Sequence, residues 1–262
     1  MNDLQFREER RGTKVVTLSR REIERLRFVR RLLRSLRKRY IRLIYGDQPF
    51  VATYFDSSFI VDWKDIVGRE IALQNFERRQ LINFIAACRR HQPEFFLDIG
   101  AHAGLYSCVL MNADVVGRAI LFEPDTRNAI LLRANLLLNG LLDRTTIHPT
   151  AVGRQAGLSW FMRGPDTNTG MARVTDNGVG HQVETVAVDE VTNFSGRTLA
   201  TKIDVEGFEL EVLAGMQRTL NENRGIVQIE STNARHEVIE FMRGNGYELV
   251  VDFYRDLFFV KV

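Results

Sequence analysis

The sequence predicts an α/β fold: a Rossmann-like, mostly parallel sheet flanked by helices, preceded by a basic amphipathic helix. Three observations carry this. Short apolar runs, "FFLDI", "AILFE" and "GIVQIE", alternate with amphipathic segments of helical length. A glycine-containing turn, "GAHAG", joins the first of these runs to the helix after it. The chain closes on "YELVVDFYRDLFFVKV", a hairpin whose last strand can join a parallel sheet only by running antiparallel to its neighbour.

The elements follow in order. Residues 1–46 hold 15 Lys/Arg against 5 Asp/Glu, whereas residues 47–262 hold 21 against 28. The basic character therefore belongs to one segment, and the reading divides the chain at 46/47. Ser19 and Glu22 have capping-box spacing and Gly46 offers a stop, so one long helix is expected between them. Ile23, Leu26, Val29, Leu33, Leu36, Tyr40 and Leu43 form an apolar stripe on it. That stripe suits packing on the domain or on a second copy, contact with an anionic membrane, or, least well, nucleic-acid phosphates, since no aromatics interleave with the arginines.

Two short strands are expected over 50–62 around a turn at Asp56-Ser57-Ser58, then a helix over 69–91 ending before Pro93. Strands at 95–99, 119–123 and 145–152 follow, the third at an edge because of Pro149, with a helix over 125–139 closed by Gly140. Two further strands flank a polar loop at 164–181, whose eighteen residues exceed the usual connection. "TLATKID", a helix over 208–220, "GIVQIE" and a helix over 233–243 complete the pattern. The two cysteines, Cys88 and Cys108, have no metal-ligand spacing and fit a reducing compartment. With neither a membrane-spanning run nor a secretory signal pattern, a cytoplasmic protein is expected, with peripheral membrane contact open through the basic helix.

Chemistry gathers in two places. Asp98, Gly100, His102 and Gly104 lie across the first strand–helix turn, where glycines admit a ligand and the helix start offers free N–H groups. Glu123 ends the next strand, where a carboxylate can accept from both ribose hydroxyls, and Ala151 near the end of the third strand joins this cofactor-binding set. The loop lacks the G-x-G-x-x-G of a pyrophosphate site, which disfavours a dinucleotide. S-adenosylmethionine (SAM) has no pyrophosphate and fits, with Asp98 available to its amino group. Helix capping by Asp98 and Glu123 is the plain alternative, and His102 reads as a loop-bonding residue more than a catalyst.

The second place is "TKIDVEGFELEVL". Strand alternation sets Lys202, Asp204 and Glu206 on one face, where three ionisable groups must pair or be used. Asp204 is the candidate general base, Lys202 its orienting partner or a donor to the acceptor oxygen, and Glu206 a loop-bonding acid. A structural ion pair remains the alternative. Glu230, ending the next strand, is expected at the same mouth as an acceptor contact; with Asp204 it could hold a divalent cation, but no metal is assigned. Asn168, Thr169 and His181 are the acceptor contacts expected from the long loop.

"FLDIGAHAGLYS", "LFEPD", "VETVAVDEV", "TKIDVEGFELEVLAGM", "IVQIES" and "NGYELV", in that order, make the chain from Phe50 to Tyr247 resemble the FkbM-family methyltransferases, a branch of the class I SAM-dependent enzymes. The "KIDVEG" block is the most specific part. The resemblance implies a seven-stranded sheet with a reversed terminal hairpin, SAM as cofactor, and methylation of an oxygen on a sugar-like, glycan or small-metabolite acceptor; were the acceptor lipid-linked, the basic helix offers a way to reach it at a membrane face. His102 stands where the family usually carries asparagine, and the basic helix lies outside the resemblance. An RNA methyltransferase using the basic helix and a non-catalytic scaffold are the competing readings.

Overall fold

A computed structural model describes residues 20–175 and 178–262 of the protein. The described residues begin with helix α1 (Arg20–Tyr45), an antiparallel pair β1 (Phe50–Tyr54) and β2 (Ser57–Val61), and helices α2 (Ile66–Ala72) and α3 (Arg78–His91). Then come β3 (Phe95–Ile99), α4 (Leu105–Asn112), β4 (Arg118–Phe122), α5 (Thr126–Leu138) and β5 (Thr145–His148). A small four-stranded sheet follows, from β6 (Ala151–Val152), β7 (Gly157–Met162), β8 (Arg173–Thr175) and β9 (His181–Val186). Helix α6 (Val188–Val191), β10 (Thr198–Ile203), α7 (Glu209–Ala214), α8 (Gln217–Glu222), β11 (Arg224–Glu230), α9 (Arg235–Gly244), β12 (Glu248–Asp252) and β13 (Asp256–Lys261) complete it.

The main sheet has seven strands in the order β12-β13-β11-β10-β3-β4-β5. β10, β11, β3, β4 and β5 are parallel, and β13 enters antiparallel against β11, as the terminal hairpin required. Alternation gives the sheet two apolar faces. Phe96, Ala200, Ile226 and Phe258 pack with Leu81, Phe84 and Leu110 of α3 and α4. Leu97, Ile203, Val227 and Ile229 pack with Val212, Leu213, Leu220, Val238 and Met242 of the opposite helices. Burial of some twenty such side chains, each worth roughly 1.5–3 kcal/mol, is the main favourable term for this sheet.

Several elements depart from expectation. The helix over 69–91 is two helices, because Gln74 and Glu77 take left-handed backbone at φ 59° and 45°. The break lets the Tyr54 hydroxyl donate to the Phe76 carbonyl at 2.8 Å and turns Glu77 toward the sheet. The strand over 145–152 divides at Pro149: β5 stays at the sheet edge, and β6 crosses to pair with β9. The helix over 208–220 divides at Gly215, where a Cβ would lie 1.9 Å from the Gly153 carbonyl oxygen. Asp189 then starts α8 afresh, accepting from the backbone N–H groups of Arg218 and Thr219 at 2.7 and 2.9 Å. The 164–181 loop contains β8 and a short 3₁₀ turn at Thr169–Met171, and the first hairpin turns at Phe55-Asp56, ahead of the expected position.

The long helix stops at Gly46 as expected, with φ 59° and its N–H donating to Arg42 at 3.1 Å. Ser19 and the side chains of Glu22, Ile23 and Leu26 lie outside the described residues. The rest of the stripe does not pack on the domain: Val29, Leu33, Leu36, Tyr40 and Leu43 are all exposed, and Ile41 is the buried apolar residue instead. No described helix is long and apolar enough to cross a membrane.

Replacing Gly215 by alanine should lower stability by about 1–3 kcal/mol, the usual cost of overpacking against backbone that cannot yield. Urea denaturation would read it; an unchanged midpoint would mean that α8 and β6 are not pinned together at this contact.

Candidate functional site

The site lies where the carboxyl ends of β3, β4, β10 and β11 meet. A cavity of about 550 Å³ opens there, walled by the 100–106 turn, the ends of these strands, α2 and the 168–174 segment. Its first half is the glycine turn. Gly100 and Gly104 have φ near +80°, and a Cβ on Gly100 would sit 1.9 Å from the Asp204 carbonyl oxygen. Only glycine lets the turn approach the end of β10 so closely. The N–H groups of Gly100 and Ala101 both donate to the Phe122 carbonyl at 3.0 Å, fastening the turn to β4.

Glu123 clamps two loops. Its carboxylate accepts from the His102 N–H and the Asp125 N–H, each at 2.8 Å, and it is 4% exposed. Burial pushes its pKa to about 7, against the lowering effect of those two N–H donors. Asp125, not Asp98 or Glu123, caps α5. Asp98 is buried against the Ser107 hydroxyl at 2.5 Å, and burial raises it to about 6, partly offset by that hydrogen bond and by Lys202. Ala151 lines the cavity beside Thr150, whose buried Oγ1 has no hydrogen-bond partner.

Lys202 is at the centre of the second half. Register sets it between Asp98 on β3 and Gln228 on β11, so the three side chains share one face. At 2% exposure its ammonium donates to Asp204 at 2.9 Å and lies 5.2 Å from the centre of the Tyr106 ring. Burial alone would lower its pKa, but the charges of Asp204, Glu77, Glu230 and Asp256 outweigh this and raise it. Carboxylate oxygens of Glu77, Asp204 and Glu230 lie within 4.8 Å of one another. Such spacing would also suit a hard cation, but Lys202 already supplies positive charge there, and no metal is assigned. Burial raises Glu77 and Glu230, Lys202 pulling both down and Asp204 pushing both up. Arg255 pairs with Glu230 at 2.5 Å, and Tyr106 donates to Glu77 at 2.6 Å.

Two expected residues are placed otherwise. Glu206 does not share the Lys202 face: β10 ends at Ile203, the backbone turns, and Glu206 is exposed at the rim with φ 50°. The loop-bonding acid is Glu209, which accepts from the Gly207 N–H at 2.6 Å. His181 is off the cavity wall, because β9 pairs it with Phe161 and its ring stands edge-on to that side chain. Asn168 and Thr169 do line the cavity. Thr169 Oγ1 accepts from His102 Nε2 at 2.7 Å, while its N–H and hydroxyl both donate to Asp65 at 2.9 and 3.1 Å. Burial lowers the His102 pKa, so the ring serves as a neutral hydrogen-bonding group. Glu77, Tyr106, Gln228 and Asp65 escaped the sequence reading.

A parallel sheet with a reversed terminal hairpin, a glycine turn and an acid ending the second strand together define a Rossmann-like fold of the class I methyltransferase kind. The chain belongs to the FkbM methyltransferase family: the profile described as Methyltransferase FkbM domain matches residues 98–249. Among solved structures it is similar to methyltransferase FkbM from Methylobacillus flagellatus KT, at 18% identity and TM-score 0.48 over 64% of this chain and 44% of that one. This chain thus spans less than half the length of that protein. A methyltransferase from Geobacter sulfurreducens is similar at 16% identity and TM-score 0.47, over 75% and 86% of the two chains. The ribosomal protein L11 methylase of Lactobacillus delbrueckii subsp. bulgaricus gives 11% and 0.44, over 70% and 79%. No curated protein matches.

Lys202→Met should destabilise the protein by about 3–5 kcal/mol near pH 8, since it strands buried carboxylates. The loss should shrink near pH 5.5 as those carboxylates take up protons. For the parent protein the sign is set by raised carboxyl pKa values. The folded state binds more protons than the unfolded one, so stability from Asp98 and Glu123 is present at low pH and lost as pH rises through about 6 to 7. Thermal melts across this range would show it; stability that climbs steadily toward pH 8 would contradict the assignment.

Proposed function

We propose that this protein transfers a methyl group from SAM to a hydroxyl oxygen of a small-molecule or glycan-like acceptor. One observation carries the reading: the glycine turn with Glu123 and the Lys202 carboxylate cluster line a single cavity. The residues fit the cofactor. Glu123 retains lone pairs for the ribose hydroxyls, Thr150 at the cavity wall holds an unsatisfied polar atom in its Oγ1, and Gly100 and Gly104 put no side chain at the two ends of the turn. Asp98, held by Ser107, is the group for the amino end. When bound, SAM supplies an electrophilic methyl on a sulfonium that departs as a neutral thioether.

The chain's own residues then have two tasks. The first is position: Glu230, Asn168 and Thr169 offer hydrogen bonds to a hydroxyl-rich acceptor, with the in-line geometry as the main contribution to rate. The second is the proton. As the acceptor oxygen bonds to the methyl carbon, its proton passes to the carboxylate cluster, with Asp204 as the receiving group and Lys202 holding it in place. Glu77 and Glu230, both raised toward neutrality, share that proton as a coupled set. Glu206 has no catalytic part in this reading.

Isothermal titration with S-adenosylhomocysteine tests the cofactor half. The wild type should bind it and not NAD, and Glu123→Gln should weaken binding by about 1–3 kcal/mol, the worth of a charge-assisted hydrogen bond. Since Glu123 has a pKa of about 7, affinity should rise with pH and fall about tenfold per unit below that value. A variant with undiminished affinity, or a flat profile in the wild type, would remove Glu123 from the site. Asp204→Asn should lower turnover by about 10²–10⁴-fold with cofactor affinity retained.

A further inference from the structure

We infer that α1 is an interfacial anchor that seats the protein on an anionic lipid surface. The inference stands apart from the methyl-transfer reading. Eleven Lys/Arg and two Glu fall within Arg20–Tyr45, and the apolar residues between them form one broad stripe. What decides the matter is which side of the helix meets the domain. α1 docks by buried Ile41, by the Arg34–Glu70 ion pair at 2.6 Å and by Tyr45 stacked on Phe50 at 4.3 Å. At 3.6 residues per turn, Ile41 and Arg34 lie roughly 120–140° round the helix from the centre of the described part of the stripe, Val29, Leu33, Leu36, Tyr40 and Leu43. The stripe therefore points away from the domain, with Leu33 60%, Leu36 53%, Tyr40 63% and Leu43 83% exposed.

The occupant must satisfy apolar surface and dense positive charge together. A second copy of the helix would set eleven cations against eleven. Nucleic-acid phosphates would meet the arginines but leave the leucines in water. The boundary of an anionic bilayer meets both: leucines enter the acyl region, arginine stems lie along it, and their heads reach lipid phosphates. The contact also has a direction, because Glu70, the partner of Arg34, sits on α2, whose Val67 and Ile71 wall the cavity. An anchored α1 thus holds that wall beside the lipid surface.

The test uses the full chain and vesicles of phosphatidylcholine, with and without phosphatidylglycerol. Co-sedimentation is expected with the anionic vesicles alone. Leu33→Ser, Leu36→Ser and Leu43→Ser combined, which leave every charge in place, should weaken it about tenfold or more. Their exposure means that melting temperature should not move. Separately, Leu36→Trp should give blue-shifted emission on adding anionic vesicles. Absence of sedimentation by the parent chain would overturn the inference, as would full sedimentation by the triple variant or unshifted emission. So would a light-scattering dimer that the triple variant dissolves while vesicles bind neither protein, which would assign the stripe to a second copy.

Discussion

The structure depends on one buried ammonium. Lys202 comes off the central strand of the sheet into a space shared by Asp204, Glu77, Glu230 and Asp256, and without it that space would hold mutually repelling acids. Everything around it follows from the need to keep the cation paired. The glycine at 100 brings the neighbouring turn to the same strand end, and the break before α3 delivers Glu77 from a distant part of the chain. The lysine thus joins the order of the sheet to the chemistry of its mouth.

Around that ion the cavity divides by polarity. Toward β4, the groups are hydrogen-bonded acids and open backbone, suited to a nucleoside with its hydroxyls. Toward β13, they are carboxylates, amides and Tyr106, bonded in a chain from Gln80 through Asp256 and Gln228. A buried network of this kind fixes side-chain positions without help from a ligand. Preorganisation of that sort suits a reaction in which placing two reactants matters more than activating either.

The parallel strands and the reversed hairpin were legible in the sequence because each is a local pattern: an apolar run, a glycine turn, a strand too close to its neighbour for a crossover. So were Asp98, Glu123, Lys202, Asp204 and Glu230, all at strand ends where topology sends them to one edge. The remainder is non-local. Glu77 lines the cavity and Asp65 bonds Thr169 at its wall from a part of the chain that packs against α5 through the Asn135 and Asn139 side chains, which accept from the Ile60 and Ser58 N–H groups. No spacing announces it. His181 was misplaced because pairing in the small sheet decides its direction, and Glu206 because alternation stops once the strand stops.

The bonds of Asp65 and His102 to Thr169 have a kinetic implication. They tie three remote stretches of chain into a clasp over the cavity, and the Ile66 N–H adds a fourth bond to the Thr167 carbonyl at 3.0 Å. In the proposed reaction a nucleoside product leaving by that side would first have to undo the clasp, and the lifetime of these few bonds would then set a floor under the time of each cycle.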